Sequence, residues 1–189
     1  ALSRTAAGGG MTVDHLLFTF VPQLATGMVM NFKIAAIAIV LGLALGVPLA
    51  YARLGARAAA GAAGALIGLM RAAPTFVVMF FLFNVIARDA TLFGHSIALS
   101  GMMTVALSLV PYAAAYVADN GVEALRHLRR GAPLAALLFL PNVTRAFFVL
   151  VMSSSAGAAI GVSEGIAVIL READSLQSLG GKFLIFAIG

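Results

Sequence analysis

The run Asp119-Asn120-Gly121-Val122-Glu123-Ala124-Leu125-Arg126-His127-Leu128-Arg129-Arg130-Gly131-Ala132-Pro133-Leu134-Ala135-Ala136-Leu137-Leu138-Phe139-Leu140-Pro141-Asn142-Val143-Thr144-Arg145 separates two apolar runs of membrane-spanning length. Between Glu123 and Arg130 it gathers an acidic residue, a histidine and three arginines. Charge of that density stays out of a hydrocarbon core, so the run reads as the cytoplasmic hinge, over about 120–145, of a membrane protein.

Composition agrees. The 189 residues are 62% hydrophobic and 10% charged, with a mean hydropathy of +1.06, where soluble domains carry about 25% charged residues. The absence of cysteine excludes a disulfide framework, a thiolate metal site and a cysteine nucleophile. The net charge of +5 does not point to nucleic acid, because the arginines stand at the ends of apolar runs, where they orient a membrane protein. Residues 1–20 read as a flexible leader and external segment without the apolar core of a signal peptide, and 21–189 as one transmembrane domain. No internal repeat is visible.

Upstream of the hinge, Leu99–Ala118 is free of charge, has Pro111 and Tyr112 near its middle and is ended by Asp119. Downstream, Ala146–Ser163 is the simplest next span. The first span is Ile34–Ala52, closed by Arg53, Gly55 and Arg57. A second run, Ala58–Ala87, is interrupted by Arg71 and then Pro74. Two readings stay open there: a bent helix facing an aqueous path, or an arginine marking the start of a span that crosses from Ala72. Arg88-Asp89 opens a polar turn, and Thr91–Ser100 reads as an interfacial stretch in which His95 is a surface histidine rather than a metal ligand. Glu164, Arg171, Glu172 and Asp174 read as a polar loop, and Lys182–Gly189 as the opening of a fifth helix that is left incomplete. The fold expected is an all-α, polytopic transmembrane bundle. Arg53, Arg57, Arg126, Arg129 and Arg130 on one side put that side in the cytoplasm and the N-terminus outside.

Two local features bear on chemistry. Ser153-Ser154-Ser155 either bonds its own backbone and packs against a neighbour, or lines a polar cavity. No Gly-x-x-x-x-Gly-Lys-Ser/Thr phosphate loop and no catalytic His or Cys constellation is present, so no hydrolytic site is expected in this chain.

From about Leu24 to Gly189 an ordered set of segments, Arg71-Ala72-Ala73-Pro74, Ala115-Tyr116-Val117-Ala118-Asp119, Leu140-Pro141 and Ile160-Gly161-Val162-Ser163-Glu164, resembles the membrane-spanning permease subunits of bacterial ABC importers for polar amino acids. Asn31–Ala52, with Gly42 and Gly46, is similar to the family's first conserved helix. Arg71-Ala72-Ala73-Pro74 resembles its Arg-Gly-Thr-Pro, and Ala115-Tyr116-Val117-Ala118-Asp119 its Ala-Tyr-x-Ala-Glu. Leu140-Pro141, followed by Arg145, resembles the end of its coupling loop, and Ile160-Gly161-Val162-Ser163-Glu164 the close of its fourth helix. Two departures stand out. A stretch of about a dozen residues that would carry the Glu-Ala-Ala and Gly of the coupling helix is missing at Gly131-Ala132, leaving Glu123-Ala124-Leu125 as an imitation. The alternatives are a degenerate half of a heterodimer or a loop absent from this chain. Met152-Ser153-Ser154-Ser155-Ala156 replaces the family's Lys-Asp-Thr-Ser-Leu, and both charges are gone.

The resemblance implies a permease in the bacterial inner membrane, paired with an identical or different permease and with ATP-binding subunits that hold ATP and Mg²⁺. An external solute-binding protein would deliver an amino acid or similar small polar solute. Arg71, Asp119 and Ser153, Ser154 and Ser155 are then expected on the path, with helices broken at Pro74 and Pro111 lining it. Glu123, Ala124, Arg126, Arg129, Arg130, Gly131 and Pro141 are expected at the ATPase contact, where the arginines would meet acidic groups or anionic lipid heads. Two rival classes remain. A non-catalytic channel or assembly subunit explains the small-residue helices but not the ordered motifs. An intramembrane enzyme with a serine nucleophile needs a base, and the nearest candidate, His127, belongs to the hinge.

Overall fold

Inside a bilayer a helix satisfies its own backbone, and the uncharged runs take that form. The computed structural model describes residues 13–86, 91–92, 95–96 and 98–189. A turn, α1 (Val13–His15), and a π-helical turn (Leu16–Phe20) lead into α2 (Val21–Arg53), followed by α3 (Arg57–Ala72) and α4 (Thr75–Val85). Thr91–Leu92 pairs antiparallel with His95–Ser96. Then come α5 (Gly101–Arg129), α6 (Pro133–Ala136), α7 (Phe139–Ser153) with a 3-10 continuation (Ser154–Ile160), α8 (Gly165–Ser175) and α9 (Leu179–Ile188). Three helical runs, Leu16–Arg53, Gly101–Arg129 and Pro133–Ile160, are long and apolar enough to cross a membrane, and α3 with α4 reaches that length only as a pair bent by 87°. The chain forms the expected all-α transmembrane bundle. Arg88, Asp89 and the side chain of His95 lie outside the described residues.

α2 and α5 are the centre. A Cβ on Gly42 would stand 2.6 Å from that of Ala113, one on Gly46 2.6 Å from the Ala114 carbonyl oxygen, and one on Gly121 2.9 Å from the Ala50 Cβ. These partners advance together turn by turn, so the helices run parallel and in contact, with small residues permitting the approach. Ile34, Ala38, Val105, Leu109, Ala113, Ala146 and Leu150 fill the core around this seam. α5 is the enclosed element, with 61% of its apolar stretch buried against 17% for Pro133–Ile160.

The break at Pro74 resolves the open reading of the second run. Ala73 and Pro74 are extended, as expected of a proline and the residue before it. Arg53 Nη1 donates to the Ala60 carbonyl (3.3 Å), Ile67 packs on Leu49, Ala115 and Ala118, and Arg71 pairs with Asp119. Every one of these contacts lies at the Arg53 end of α2, so α3 lies across that end and does not traverse the bundle. α4 then runs back to the other end, where Phe83 and Ile86 border Ser100–Met102. Pro111, also expected to break its helix, leaves α5 continuous. A single interior proline costs one backbone hydrogen bond, and the α2 seam at Ala113 holds the helix on both sides of it.

Three boundaries differ from expectation. Asp119 does not end its helix, which runs on to Arg129, stabilised by Glu123 facing Arg126 and His127 at 3.4 Å each. The next helix begins at Phe139, not Ala146, because Pro141 falls in its first turn, where no backbone N–H is needed. The polar loop after Ser163 is the amphipathic helix α8, which buries Ala167, Val168, Ile169 and Ala173 and exposes Arg171 and Asp174. What separates α5 from α6 is a two-bond cap. Gly131 takes φ +73°, its N–H donates to Leu128 O (3.1 Å), and that of Ala132 donates to His127 O (3.0 Å). This is the Schellman arrangement.

Candidate functional site: a polar lane along α5

Tyr112, Tyr116, Asp119, Asn120, Glu123 and His127 recur along α5 at helical spacing. At 3.6 residues per turn all six fall within an arc of about 100°. None of them is fully buried. The Tyr112 and Tyr116 rings lie 6.1 Å apart and tilted, and Asn120 Nδ2 donates to the Tyr116 carbonyl (2.8 Å). Across from this stripe, Arg71 meets Asp119 at the α3–α4 bend. Asn142 of α7 shares a hollow of about 100 Å³ with Asn120, Glu123 and His127. Arg145 of α7 is within electrostatic reach of Tyr112. The result is a polar lane from the middle of α5 to its arginine-rich end, walled by the α3–α4 bend and α7. It lines up donors, acceptors and side chains of both signs of charge. Among the described residues no group of three or more His, Cys, Asp or Glu side chains is placed to hold a metal ion.

A second polar cluster sits at the opposite end. Glu164 is fully buried as the N-cap of α8, its Oε1 accepting from the Ala167 N–H and its Oε2 from the Ile166 N–H, both at 2.9 Å. Asn31 of α2 donates through Nδ2 to Glu164 Oε2 (3.1 Å) and to Ser155 Oγ (3.3 Å), while its Oδ1 accepts from the Gly165 N–H (2.9 Å). The buried carboxyl group is thus satisfied by two backbone donors and an amide. A Cβ on Gly27 would stand 2.9 Å from the Glu164 backbone, so α2 and α8 are locked at close range.

The serines divide. Ser154 is buried and donates to the Val151 carbonyl (2.6 Å), Ser155 joins the Asn31 cluster, and Ser153 is exposed. Ser155 is level with Asn31, whereas Asp119 is level with about residue 48 of α2. At 1.5 Å per residue some 25 Å of helix separates them, so the serines and the Arg71–Asp119 pair are not brought together. His127, eight residues beyond Asp119 on α5, is about 12 Å further still from the serines. Of the residues expected at the ATPase contact, Glu123, Arg126, Arg129, Arg130, Gly131 and Pro141 are exposed around the α5–α7 turn. Arg129 Nη1 also donates to Leu54 O (3.4 Å), and Ala124 is half-buried beside Val47 and Phe139.

Neither a protein-family model nor a curated protein matches the sequence. Among solved structures, a chain of "Crystal structure of an amino acid ABC transporter with histidines" superposes with a TM-score of 0.66 at 21% identity, over 94% of this chain and 91% of that one. The fold is that of an amino acid ABC transporter chain. The ordered motifs that carried the resemblance in the sequence therefore belong to a chain with the matching fold. Sequence reading missed Glu164 and Asn31 as partners, although an asparagine in an apolar helix and a glutamate before Gly165 were visible signals. It also missed the lane, which the helical spacing of the α5 polar residues could have disclosed.

Proposed function

We propose that the chain is a transmembrane permease subunit of an ATP-driven importer for an amino acid or similar small polar solute. The observation that carries this reading is the polar lane on α5, inside a bundle with the fold of an amino acid ABC transporter chain. A solute that must shed water needs polar groups along its way, and the lane supplies them from mid-bundle to the arginine-rich end. That end is cytoplasmic in this reading, since it gathers Arg53, Arg57, Arg126, Arg129 and Arg130, and the N-terminus is external.

In this mechanism two permeases, alike or different, enclose the path, and an external binding protein delivers the solute in the bacterial inner membrane. ATP and Mg²⁺ are bound and turned over by a partner subunit docked on the α5–α7 turn, with anionic lipid heads around it. The exposed Leu134, Leu137, Leu138 and Leu140 would add an apolar footing there to the charges of Glu123, Arg126, Arg129 and Arg130. Movement of the partner would pull on α5 and α7 together, opening or closing the lane at the Arg71–Asp119 pair. The chain itself supplies no hydrolytic chemistry. Intact mass of the complex in mild detergent is the first test. Copurification of an ATPase with a permease pair supports the reading, whereas a chain purified from its native membrane without any ATPase points to a channel or assembly subunit.

A further inference from the structure

Arg145 is a charge in the wrong place for lipid. Phe139 opens α7 beside Gly121 and shares a hollow with Ala50 and Tyr51. Six residues further on, Arg145 lies about 9 Å deeper. It is within electrostatic reach of Tyr112, whose neighbour Ala113 packs on Gly42. Gly42 stands eight residues from Ile34 and ten from Ala52, the limits of the uncharged run of α2. Arg145 therefore sits at mid-membrane depth. It is exposed, and among the described residues no carboxylate lies within ion-pair distance of it. The other charges of the lane are matched: Arg71 by Asp119, and Glu123 by Arg126.

An ionised side chain at that depth must face a polar cavity or a partner, not hydrocarbon. Its surroundings point to the cavity. Asn142, which shares a hollow with Asn120, Glu123 and His127, lies about 60° from it around α7, and Tyr112 of α5 is within electrostatic reach of it. A guanidinium offers a planar fork of donors matched to a carboxylate. We propose that Arg145 is the carboxylate-recognition residue of the path, binding the acid group of the solute as it crosses. This rests on the permease reading above.

The chain contains no cysteine, so R145C introduces a single thiol into it. The assembled transporter is reconstituted in proteoliposomes and offered a panel of radiolabelled L-amino acids, then the amine that lacks the carboxylate of whichever is accumulated. R145A and R145Q should raise KM for the amino acid about tenfold or more, the loss expected when a charge-assisted hydrogen bond is removed, while amine uptake is unchanged. R145C should react with water-soluble methanethiosulfonates, be protected by the amino acid but not the amine, and regain uptake with an ammonium-bearing reagent but not a sulfonate-bearing one. An unreactive R145C, labelling that the amino acid does not slow, or a KM within about twofold of wild type would each overturn the assignment. Loss of permease pairing in all three variants would make Arg145 an interface residue and overturn it too. Failure of the wild-type transporter to accumulate any amino acid counts against the permease reading instead.

Discussion

Arg71, in the last turn of α3, and Asp119, on the central helix α5, form an ion pair across 48 positions of sequence. The pair holds the corner at which the chain turns by 87° from lying across the bundle to running back through it. Its side chains are 60% and 47% exposed, so its contribution to stability is small. The pair lies between the α3–α4 bend and the polar face of α5.

Breaking the pair should therefore change transport more than stability. D119N and R71Q are each expected to cost about 0.2–1 kcal/mol in thermal unfolding, the range for exposed pairs, while solute uptake falls severalfold. The double reversal R71D/D119R should recover uptake relative to either single reversal. Uptake assays on D119N, R71Q, both single reversals and the double reversal check this, and singles that transport like wild type would remove the pair from the mechanism.

Glu164 should behave in the opposite way. E164A strips acceptors from the Asn31 amide and from two N–H groups of α8, and each buried donor left unpaired costs about 1–3 kcal/mol. A large drop in the melting temperature of the detergent-solubilised chain is expected. E164Q, which keeps one oxygen acceptor, should lose less, and N31A should resemble E164A.

The seam between α2 and α5 tolerates no added volume. G46L would drive a side chain into the Ala114 carbonyl and Val117, where a single Cβ already falls within 2.8 Å of its neighbours. Overpacking of this kind costs about 1–3 kcal/mol, or more where backbone must shift. Leucine at Gly61 or Gly68, where a Cβ meets nothing within 4 Å, should be close to neutral in the same unfolding assay.

The sequence disclosed what depends on long runs of one character: the apolar stretches, their arginine boundaries, and the break at Pro74. It misplaced what depends on balance between local and tertiary effects. Asp119 reads as a helix end because a charge should leave the membrane, yet Arg71 supplies a partner and the helix continues. Leu140-Pro141 reads as the end of a hinge, but proline is at home in a first helical turn. Glu164 reads as one charge of a loop because its partners come from a helix 133 positions away and from backbone N–H groups that exist only once α8 forms. Lane and lock alike needed the register between helices.

The turn at Gly131 has a backbone signature that can be tested alone. G131V forces a β-branched residue into φ +73° and should destabilise the α5–α6 cap by about 1–2 kcal/mol. G131N, which tolerates that conformation better, should cost less. Thermal unfolding compares the two, and the same proteins show whether ATPase copurification depends on the shape of this turn.

The central claim is that the lane on α5 carries a small polar solute at the expense of ATP. Its most direct test is accumulation of radiolabelled L-amino acids by proteoliposomes containing this chain with its copurified partners and an external binding protein, with and without ATP inside. The account predicts ATP-dependent accumulation of at least one of them, reduced by D119N. Equal uptake with and without ATP, or none for any amino acid by an intact and folded complex, would contradict it.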